Sequence, residues 1–523
     1  MTLRLSHIAR YAPSTQRQIH LKIFDSVFNF CYETPSKMNR TLFSLIVGAM
    51  AIPALEAGAA SADYTDGVFI VNEDWYGHQN STVNFLRPDD PDGEYWEYRI
   101  IQGNNPGMEL GCTNQYGAIH DGRLFLIAKQ EKDPGASVIG GRITVVDAYT
   151  MKIITQLQII DPSGAQCDGR GFVGIDSHKG YVTSSNGLWV LDLDSYEIKG
   201  QVAGSGNPNA GGDNDKPNTD PTGSLYHGQS GMAVYTADKV FAAHQSAGLL
   251  VIDPASDAVV ETIPMDIVQE GAGIGSVVLS KDGNLWLSVA PNVNGMGFTL
   301  PYLVKVDPVT LEYEIIDIPD GIYAPANSWY AWTPDGFCAS SVQNALYWNG
   351  GASSWFSQSH VYRYDIDSGE FSEWLDLESR PENWNIYGCS MRMHPVTDEM
   401  YVSLFHTFQD PTYKLVRYDS EANVINEYLM ISNYWFPSLP VFPVKKGGDS
   451  SADVISASGV RLYPVDGGVS ALGLAGNLLT VYDLSGKTVY TRTLLNDHEV
   501  ITPSLPAGFY IVRAGSLTLK IRI

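Results

Sequence analysis

The side chains best suited to binding chemistry lie in polar loops between short apolar segments of this sequence. Indole and phenol rings offer large contact areas with a polar handle. Imidazole, guanidinium and amide groups add hydrogen bonds, and histidines could also bind a metal. Each choice has a competing interpretation, in which the ring packs in the core or the histidine makes a structural hydrogen bond. The candidate ligand-binding residues are Trp75, Tyr76, His78, Tyr116, Arg170, His227, Gln229, His244, Trp329, Trp355, Trp384, Tyr387 and His406.

Signatures of catalysis are few. The chain has no H-E-x-x-H, no nucleophile elbow, no P-loop and no dinucleotide fingerprint. We therefore predict that the protein binds its ligand without transforming it, and we assign no catalytic residue, metal ligand or cofactor. Two alternatives stay open: a lyase or hydrolase that joins a histidine and a carboxylate from distant loops to act on a glycan or similar substrate, and a surface adhesin.

A Gly/Asn/Asp-rich insertion occupies residues 204–224. Its carboxylates Asp213, Asp215 and Asp220 could supply oxygen ligands to Ca²⁺, but the glycine and terminal glutamate of an EF-hand do not follow at the required spacing. We favour a solvated, flexible loop.

A repeated pattern of strands indicates the elements that position the binding loops. Short apolar strands that end in aspartate, such as ITVVD and LLVID, recur at intervals of 45 to 61 residues, and each is preceded by two strands joined by a tight turn. An aspartate at a strand end can hydrogen-bond the backbone of the turn that it initiates. The repeated aspartates are Asp147, Asp192, Asp253, Asp307, Asp365 and Asp419.

Four strands per repeat are typical of propeller blades. With a degenerate first copy around 83–87, the sequence predicts an all-β protein: a seven-bladed β-propeller followed by a small C-terminal β-sandwich. The first copy lacks one strand and the segment 434–442 has no repeat of its own, so we expect this segment to complete the first blade. In such a ring the loops leading into the inner strands, and those joining the second and third strands, share one face, where ligands dock.

Segments near both ends of the chain define the predicted domain boundaries. A charged, apolar and small-residue order over 38–62 predicts a signal peptide, with the mature chain beginning near Asp63. We interpret residues 1–37 as a start-site artefact, with a long n-region of the signal peptide as the alternative. We assign 63–445 to the propeller, 446–458 to a linker and 459–523 to the C-terminal sandwich.

The charge of the chain argues against one class of binding partner. With 58 acidic and 33 basic residues, the net charge of −25 disfavours binding to nucleic acid.

The cysteines leave one disulfide open. Cys112 and Cys167 could pair in an oxidising compartment, but we favour unpaired buried thiols.

The C-terminal motifs VYDLSGKTVY, LPAGFYIVR and KIRI resemble the type A C-terminal sorting domain of Bacteroidetes. This resemblance implies export across the outer membrane by a dedicated machinery, and display on the cell surface or release. Removal of the domain during export stays open.

Residues 64–445 resemble a Bacteroidetes propeller family that includes cobalamin-capturing surface proteins, and more loosely the YncE-like propellers. The resemblance rests on the strands ending in aspartate, the acidic balance and the segment WFPSLPVFP. It implies a protein of the outer-membrane surface or the medium that captures a small molecule, with a corrinoid as one ligand and an outer-membrane transporter as its partner. A glycan ligand is the alternative. The chain departs from the cobalamin-capturing relatives in lacking a lipobox cysteine.

Overall fold

A computed structural model describes residues 64–210, 228–265, 272–291, 302–325, 336–350 and 357–443, and near the C-terminus 461–465, 468–483, 486–496, 498–506, 508–515 and 517–522. The signal peptide, the linker, most of the 204–224 insertion and the candidate residues His227, Trp329 and Trp355 lie outside these ranges. The predictions for them therefore stay predictions.

The described residues are almost entirely β-strand, with one short helix, α1 (Ile100–Asn104). In the first half the strands are β1 (Val68–Asn72), β2 (Thr82–Leu86), β3 (Trp96–Glu97), β4 (Cys112–His120), β5 (Arg123–Gln130), β6 (Ile143–Asp147), β7 (Ile153–Leu157), β8 (Gly169–Gly174), β9 (Lys179–Ser184), β10 (Gly187–Asp192), β11 (Glu197–Gln201), β12 (Ser230–Thr236), β13 (Lys239–His244), β14 (Gly248–Asp253) and β15 (Ala258–Ile263).

The strands continue to residue 441 with β16 (Ala272–Leu279), β17 (Leu285–Pro291), β18 (Tyr302–Val306), β19 (Tyr313–Asp317), β20 (Cys338–Ala339), β21 (Ala345–Gly350), β22 (Ser357–Gln358), β23 (His360–Asp365), β24 (Glu370–Asp376), β25 (Asn385–Met393), β26 (Met400–Phe405), β27 (Tyr413–Tyr418), β28 (Val424–Leu429) and β29 (Pro437–Val441).

These strands form antiparallel sheets that are mostly four-stranded and built from strands consecutive in the chain. In sheet order, the described strands β1 to β29 group as β29-β1-β2-β3, β4-β5-β6-β7, β11-β10-β9-β8, β12-β13-β14-β15, β16-β17-β18-β19, β20-β21-β23-β24 and the five-stranded β22-β25-β26-β27-β28. The all-β expectation and the four-strand repeat are confirmed.

The repeated aspartates have the role that their position predicts. The Asp147 carboxylate accepts hydrogen bonds from the backbone N–H groups of Tyr149 and Thr150, at 3.1 and 2.8 Å. The Asp307 carboxylate accepts equivalent hydrogen bonds from the backbone N–H groups of Val309 and Thr310, at 2.8 and 2.9 Å. Because the other four aspartates also accept backbone N–H bonds in their turns, the repeat marks a turn structure, not a binding site.

The segment near residue 440 completes the first sheet, as predicted. Strand β29 pairs antiparallel with β1, with Val441 opposite Phe69 and Leu439 opposite Val71. Two prolines fit in β29 because it lies at the edge of its sheet and has a hydrogen-bonded neighbour on one side only. The sheet thus joins residues that lie more than 350 positions apart in the sequence.

One strand from each of these sheets contributes to a closed, propeller-like arrangement. Strands β29, β4, β8, β12, β16, β20 and β25 contact one another in this cyclic order, and β25 contacts β29 again. Hydrophobic side chains fill the spaces between adjacent sheets: Phe125 of β5, for example, stacks on Phe172 of β8 with ring centroids 3.9 Å apart. In such a ring, corresponding ends of the inner strands lie on the same face of the ring.

The C-terminal residues form two further antiparallel sheets. The strands are β30 (Arg461–Val465), β31 (Gly468–Leu472), β32 (Leu478–Tyr482), β33 (Thr488–Thr493), β34 (His498–Ile501), β35 (Phe509–Ala514) and β36 (Leu517–Arg522). Their sheet orders are β30-β31-β34 and β33-β32-β35-β36. Side chains from both sheets, such as Val469 and Val512, share one hydrophobic core.

Within the described ranges, no helix has the length and apolar character needed to cross a bilayer.

Candidate functional site

A cavity of ≈ 510 Å³ opens where β1, β5 and β26 end and where β4, β8, β25 and β29 begin. Since the inner strands of neighbouring sheets start here, the cavity lies on the loop face that the repeat pattern predicts for ligands. Its lining residues are Glu73, Asp74, Trp75, Tyr76, Thr113, Lys129, Gln130, Asp168, Tyr387, Phe408, Gln409 and Phe436.

Aromatic rings form one wall of this cavity. Trp75 and Tyr76, in the loop after β1, are 38% and 57% exposed. The Trp75 ring packs against the rings of His78 and Tyr434, with centroid distances of 3.9 and 4.0 Å, respectively. Of the predicted ligand-binding residues in this loop, Trp75 and Tyr76 line the cavity, whereas His78 is not a lining residue and packs against Trp75.

A second group of rings centres on Tyr387. Tyr387 of β25 packs against Phe436 and Phe408, with centroids 5.5 and 6.0 Å apart. Tyr387 is buried and its hydroxyl hydrogen-bonds to Glu73. This predicted ligand-binding residue thus connects the aromatic wall to the polar floor.

The polar floor includes a buried carboxyl group, Glu73, which directly follows β1. Its Oε1 accepts a 2.9 Å hydrogen bond from Gln115 Nε2. Burial raises the pKa of Glu73, while Lys129 and the hydrogen bonds from Gln115 and Tyr387 act in the opposite direction. Asp74 beside it is also buried, and desolvation raises its pKa to about 8.

Lys129 on β5 brings a cation to the same cavity. Burial lowers its pKa to about 7, and the neighbouring Arg170 guanidinium contributes to that shift, although Glu73 and Asp168 partly offset it. Glu73, Asp74 and Lys129 therefore all have displaced pKa values and line the same cavity, which is typical of functional sites.

Asp168, Arg170 and Gln229 form a buried network beside the floor. The Asp168 carboxylate lies 3.1 Å from Arg142 NH1 and 3.8 Å from Arg170 NH2. Arg170 Nε donates a 2.7 Å hydrogen bond to Gln229 Oε1, which joins β8 to the start of β12. Of these residues only Asp168 lines the cavity, whereas the predicted binding residues Arg170 and Gln229 lie behind it and bond to each other.

Tyr116 and His244 occupy internal positions. The Tyr116 hydroxyl donates a 2.8 Å hydrogen bond to the Phe172 carbonyl, and its ring packs between two core clusters. His244 at the end of β13 is 2% exposed, and its Nδ1 accepts a 3.1 Å bond from the Ala247 N–H. Burial lowers the pKa of His244 to about 4.

Trp384 and His406 form a separate pair outside the cavity lining. Their rings are tilted by 31° with centroids 3.7 Å apart, and Lys414 Nζ lies 4.7 Å from the Trp384 ring centroid. His406 Nδ1 is 2.9 Å from the Asp410 carboxylate. Of the predicted ligand-binding residues, the structure therefore brings only some together in the cavity, namely Trp75, Tyr76 and Tyr387.

Several lining residues were not among the sequence predictions, notably Glu73, Lys129 and Asp168. Glu73 directly follows the apolar strand VFIVN, and Lys129 is continuous with the apolar run LFLIA. A charge attached to a buried strand is costly unless it has partners or a cavity. That signal could have identified both residues.

The cysteines near the site are buried thiols. Cys112 Sγ lies 3.3 Å from Asp133 Oδ2, and Cys167 Sγ lies 3.1 Å from Ser184 Oγ. Since neither forms a disulfide, the favoured interpretation is confirmed. Burial raises the pKa of both thiols to about 12.

Solved structures that are similar to this chain include two surface or extracellular proteins and a protein of unknown function. PorZ, a surface component of the type-IX secretion system of Porphyromonas gingivalis, is 11% identical with a TM-score of 0.42, over 85% of this chain and 62% of that chain. The extracellular domain of BT4673 from B. thetaiotaomicron is 11% identical with a TM-score of 0.39, over 87% and 57%. A protein from Bacteroides caccae is 11% identical with a TM-score of 0.35, over 58% and 95%.

This chain thus spans less than two thirds of the length of the first two structures. No curated protein has a significantly similar sequence. Residues 66–443 match a sequence family that covers nearly all of the described propeller-like sheets. The chain belongs to the family described as domain of unknown function DUF5074.

Proposed function

We propose that the protein is an exported seven-bladed β-propeller that captures a small ligand at the cavity on its loop face. The seven cyclically ordered inner strands of the described residues support seven blades. The signal-peptide pattern and the sorting-domain resemblance support an outer-membrane surface or extracellular location. The two C-terminal sheets with their common core fit the predicted sandwich.

The cavity itself carries the binding proposal. Ligand sites in proteins are concave, have volumes of about 300–1,000 Å³, and combine aromatic walls with a few polar groups. The cavity of ≈ 510 Å³ has these properties, because the exposed rings of Trp75 and Tyr76 line it together with the polar groups of Glu73 and Lys129.

A corrinoid is the ligand that we propose to test first, for delivery to an outer-membrane transporter. Its macrocycle is broader than the cavity and carries peripheral amides. In this proposal one amide enters and accepts a hydrogen bond from Lys129 or donates one to Glu73, while the macrocycle rests on Trp75 and Tyr76.

Calorimetry with cyanocobalamin and the intact protein tests this proposal. We expect Tyr76→Ala to weaken binding by about 2 kcal/mol, because exposed central aromatic residues dominate many interfaces. Tyr313→Ala is the matched control, since Tyr313 is 48% exposed on the outer strand β19. It should leave the affinity unchanged.

The corrinoid proposal fails if saturating cyanocobalamin gives neither heat nor a change in melting temperature. A glycan would then be the next ligand to test. Equal losses for the two tyrosine variants would instead show that binding occurs away from the cavity.

A further inference from the structure

The most unusual group in the cavity is the amine of Lys129. It extends from the end of β5 and lines the cavity together with Tyr76 and Tyr387. We propose that Lys129 is a nucleophilic amine that condenses with the carbonyl group of an aldehyde or ketone held in the cavity. This activity goes beyond the capture of a ligand.

The nearby carboxylates already have other partners. Asp168 is held by Arg142 and Arg170. Asp74 accepts a 2.7 Å hydrogen bond from the Thr82 hydroxyl. None of the ion pairs found among the described residues includes Lys129, although Glu73 and Asp168 act on it electrostatically. Lys129 therefore faces the cavity without a contact ion pair to hold its proton.

Charges on several strands act on this amine. Arg170 on β8 disfavours the ammonium form, whereas Glu73, Asp168 and Cys112 favour it. Asp74, Tyr76 and Tyr387 complete the titratable groups around the cavity. With burial as the largest contribution, the pKa of Lys129 falls from 10.5 to about 7. At neutral pH the fraction of neutral amine is then roughly a thousandfold higher than for an ordinary lysine.

The reaction balances with groups that the cavity provides. The nitrogen lone pair of neutral Lys129 forms a bond to the carbonyl carbon, and the carbonyl π bond breaks as its oxygen takes up a proton. The resulting hydroxyl leaves as water after a second protonation, and the nitrogen loses its protons, which leaves an imine. The carboxyl group of Glu73, whose pKa is raised by burial, can supply and recover these protons.

Reductive labelling of the intact protein tests the proposal. The protein is treated with benzaldehyde and sodium cyanoborohydride, which delivers hydride to an imine, and benzylated lysines are located by peptide mass spectrometry. At pH 7 we expect Lys129 to be labelled at least about tenfold faster than Lys199, because its neutral fraction is larger. Lys199 is an internal control, since it is exposed and paired with Glu197 at 2.7 Å.

The pH profile gives a second measurement that needs no variant. The Lys129 rate should level off above a pH of about 7, while the Lys199 rate continues to rise. Lys129→Met should remove the fast label and leave the label at Lys199. Labelling of Lys129 no faster than Lys199, or without a plateau, would overturn the proposal. Cyanocobalamin contains no aldehyde or ketone, so its binding is judged independently of this result.

Discussion

At the scale of single residues, the position of a polar side chain in the sheets decides whether it can contact a ligand or instead stabilises the fold. Arg170 and Gln229 have the chemistry of ligand-binding groups, yet each is buried and they bond to each other across two sheets. Tyr76 has no special sequence motif and is exposed at the cavity mouth. A residue's type therefore describes what it can do, and its surroundings select which of these roles it has.

His244 leads to a prediction about stability and pH. Its pKa is about 4 in the folded protein and 6.5 when unperturbed, so the unfolded chain binds more protons between these values. The free energy of unfolding should therefore fall as the pH drops from about 6.5 to 4, by about 3 kcal/mol from this residue. His244→Asn keeps a hydrogen-bond acceptor for the Ala247 N–H but does not titrate.

Denaturant titrations of both proteins at pH 7 and pH 4 measure the difference. The wild-type protein should lose more stability on acidification than the variant does, even if the variant is less stable at pH 7. Parallel losses in the two proteins would show that His244 does not contribute to the acid sensitivity.

At the scale of elements, β29 is the strand that connects the end of the propeller-like region to its beginning. Besides pairing with β1, it places Ser438 within 3.1 Å of the Asn114 carbonyl on β4, to which the Ser438 hydroxyl donates a hydrogen bond. The preceding Trp435 and Phe436 are buried. One short strand therefore ties together residues from two sheets, its own and that of β4.

Removal of this strand should destabilise the whole propeller-like region. A chain that ends after Met430 loses β29 and the buried Trp435, and large buried side chains are each worth about 3 kcal/mol or more. We expect its melting temperature to fall by about 20 °C or more relative to a chain that ends after Lys446. The longer chain keeps β1 to β29 and serves as the control, and equal melting temperatures for the two would contradict ring closure by β29.

At the scale of the whole molecule, the described C-terminal strands have a core of their own. The members of that core all lie between Leu462 and Ile521, so the propeller-like sheets contribute none of them. Together with the sorting-domain resemblance, this separate core supports our proposal that the propeller-like region binds a ligand and the C-terminal part directs export.

Deletion of residues 459–523 tests this division. If the C-terminal part acts in sorting, the deletion should leave ligand affinity unchanged and retain the protein in the periplasm. Cell fractionation and surface proteolysis measure location, and calorimetry measures affinity. Unchanged surface exposure would assign the C-terminal part a different task, and a loss of affinity would indicate that it helps to bind the ligand.

The repeat and its turns could be predicted from the sequence because both depend on local interactions. A strand of alternating or continuous apolar residues and an aspartate that bonds its own turn are encoded within a few positions, as Asp147 and Asp307 show. The absence of a strand in the first repeat and the surplus segment near residue 440 also sufficed to predict the pairing of β29 with β1.

The floor of the cavity could not be predicted in this way, because it depends on contacts between distant strands. Glu73, Lys129 and Asp168 lie in or next to strands of three different sheets, and the pKa values of Glu73 and Lys129 depend on burial and on neighbouring charges. The sequence alone determined the strands, the turns and the loops that carry the aromatic residues. Only the tertiary structure decided which of those residues meet in one cavity, because electrostatic and packing interactions depend on distance in space and not along the chain.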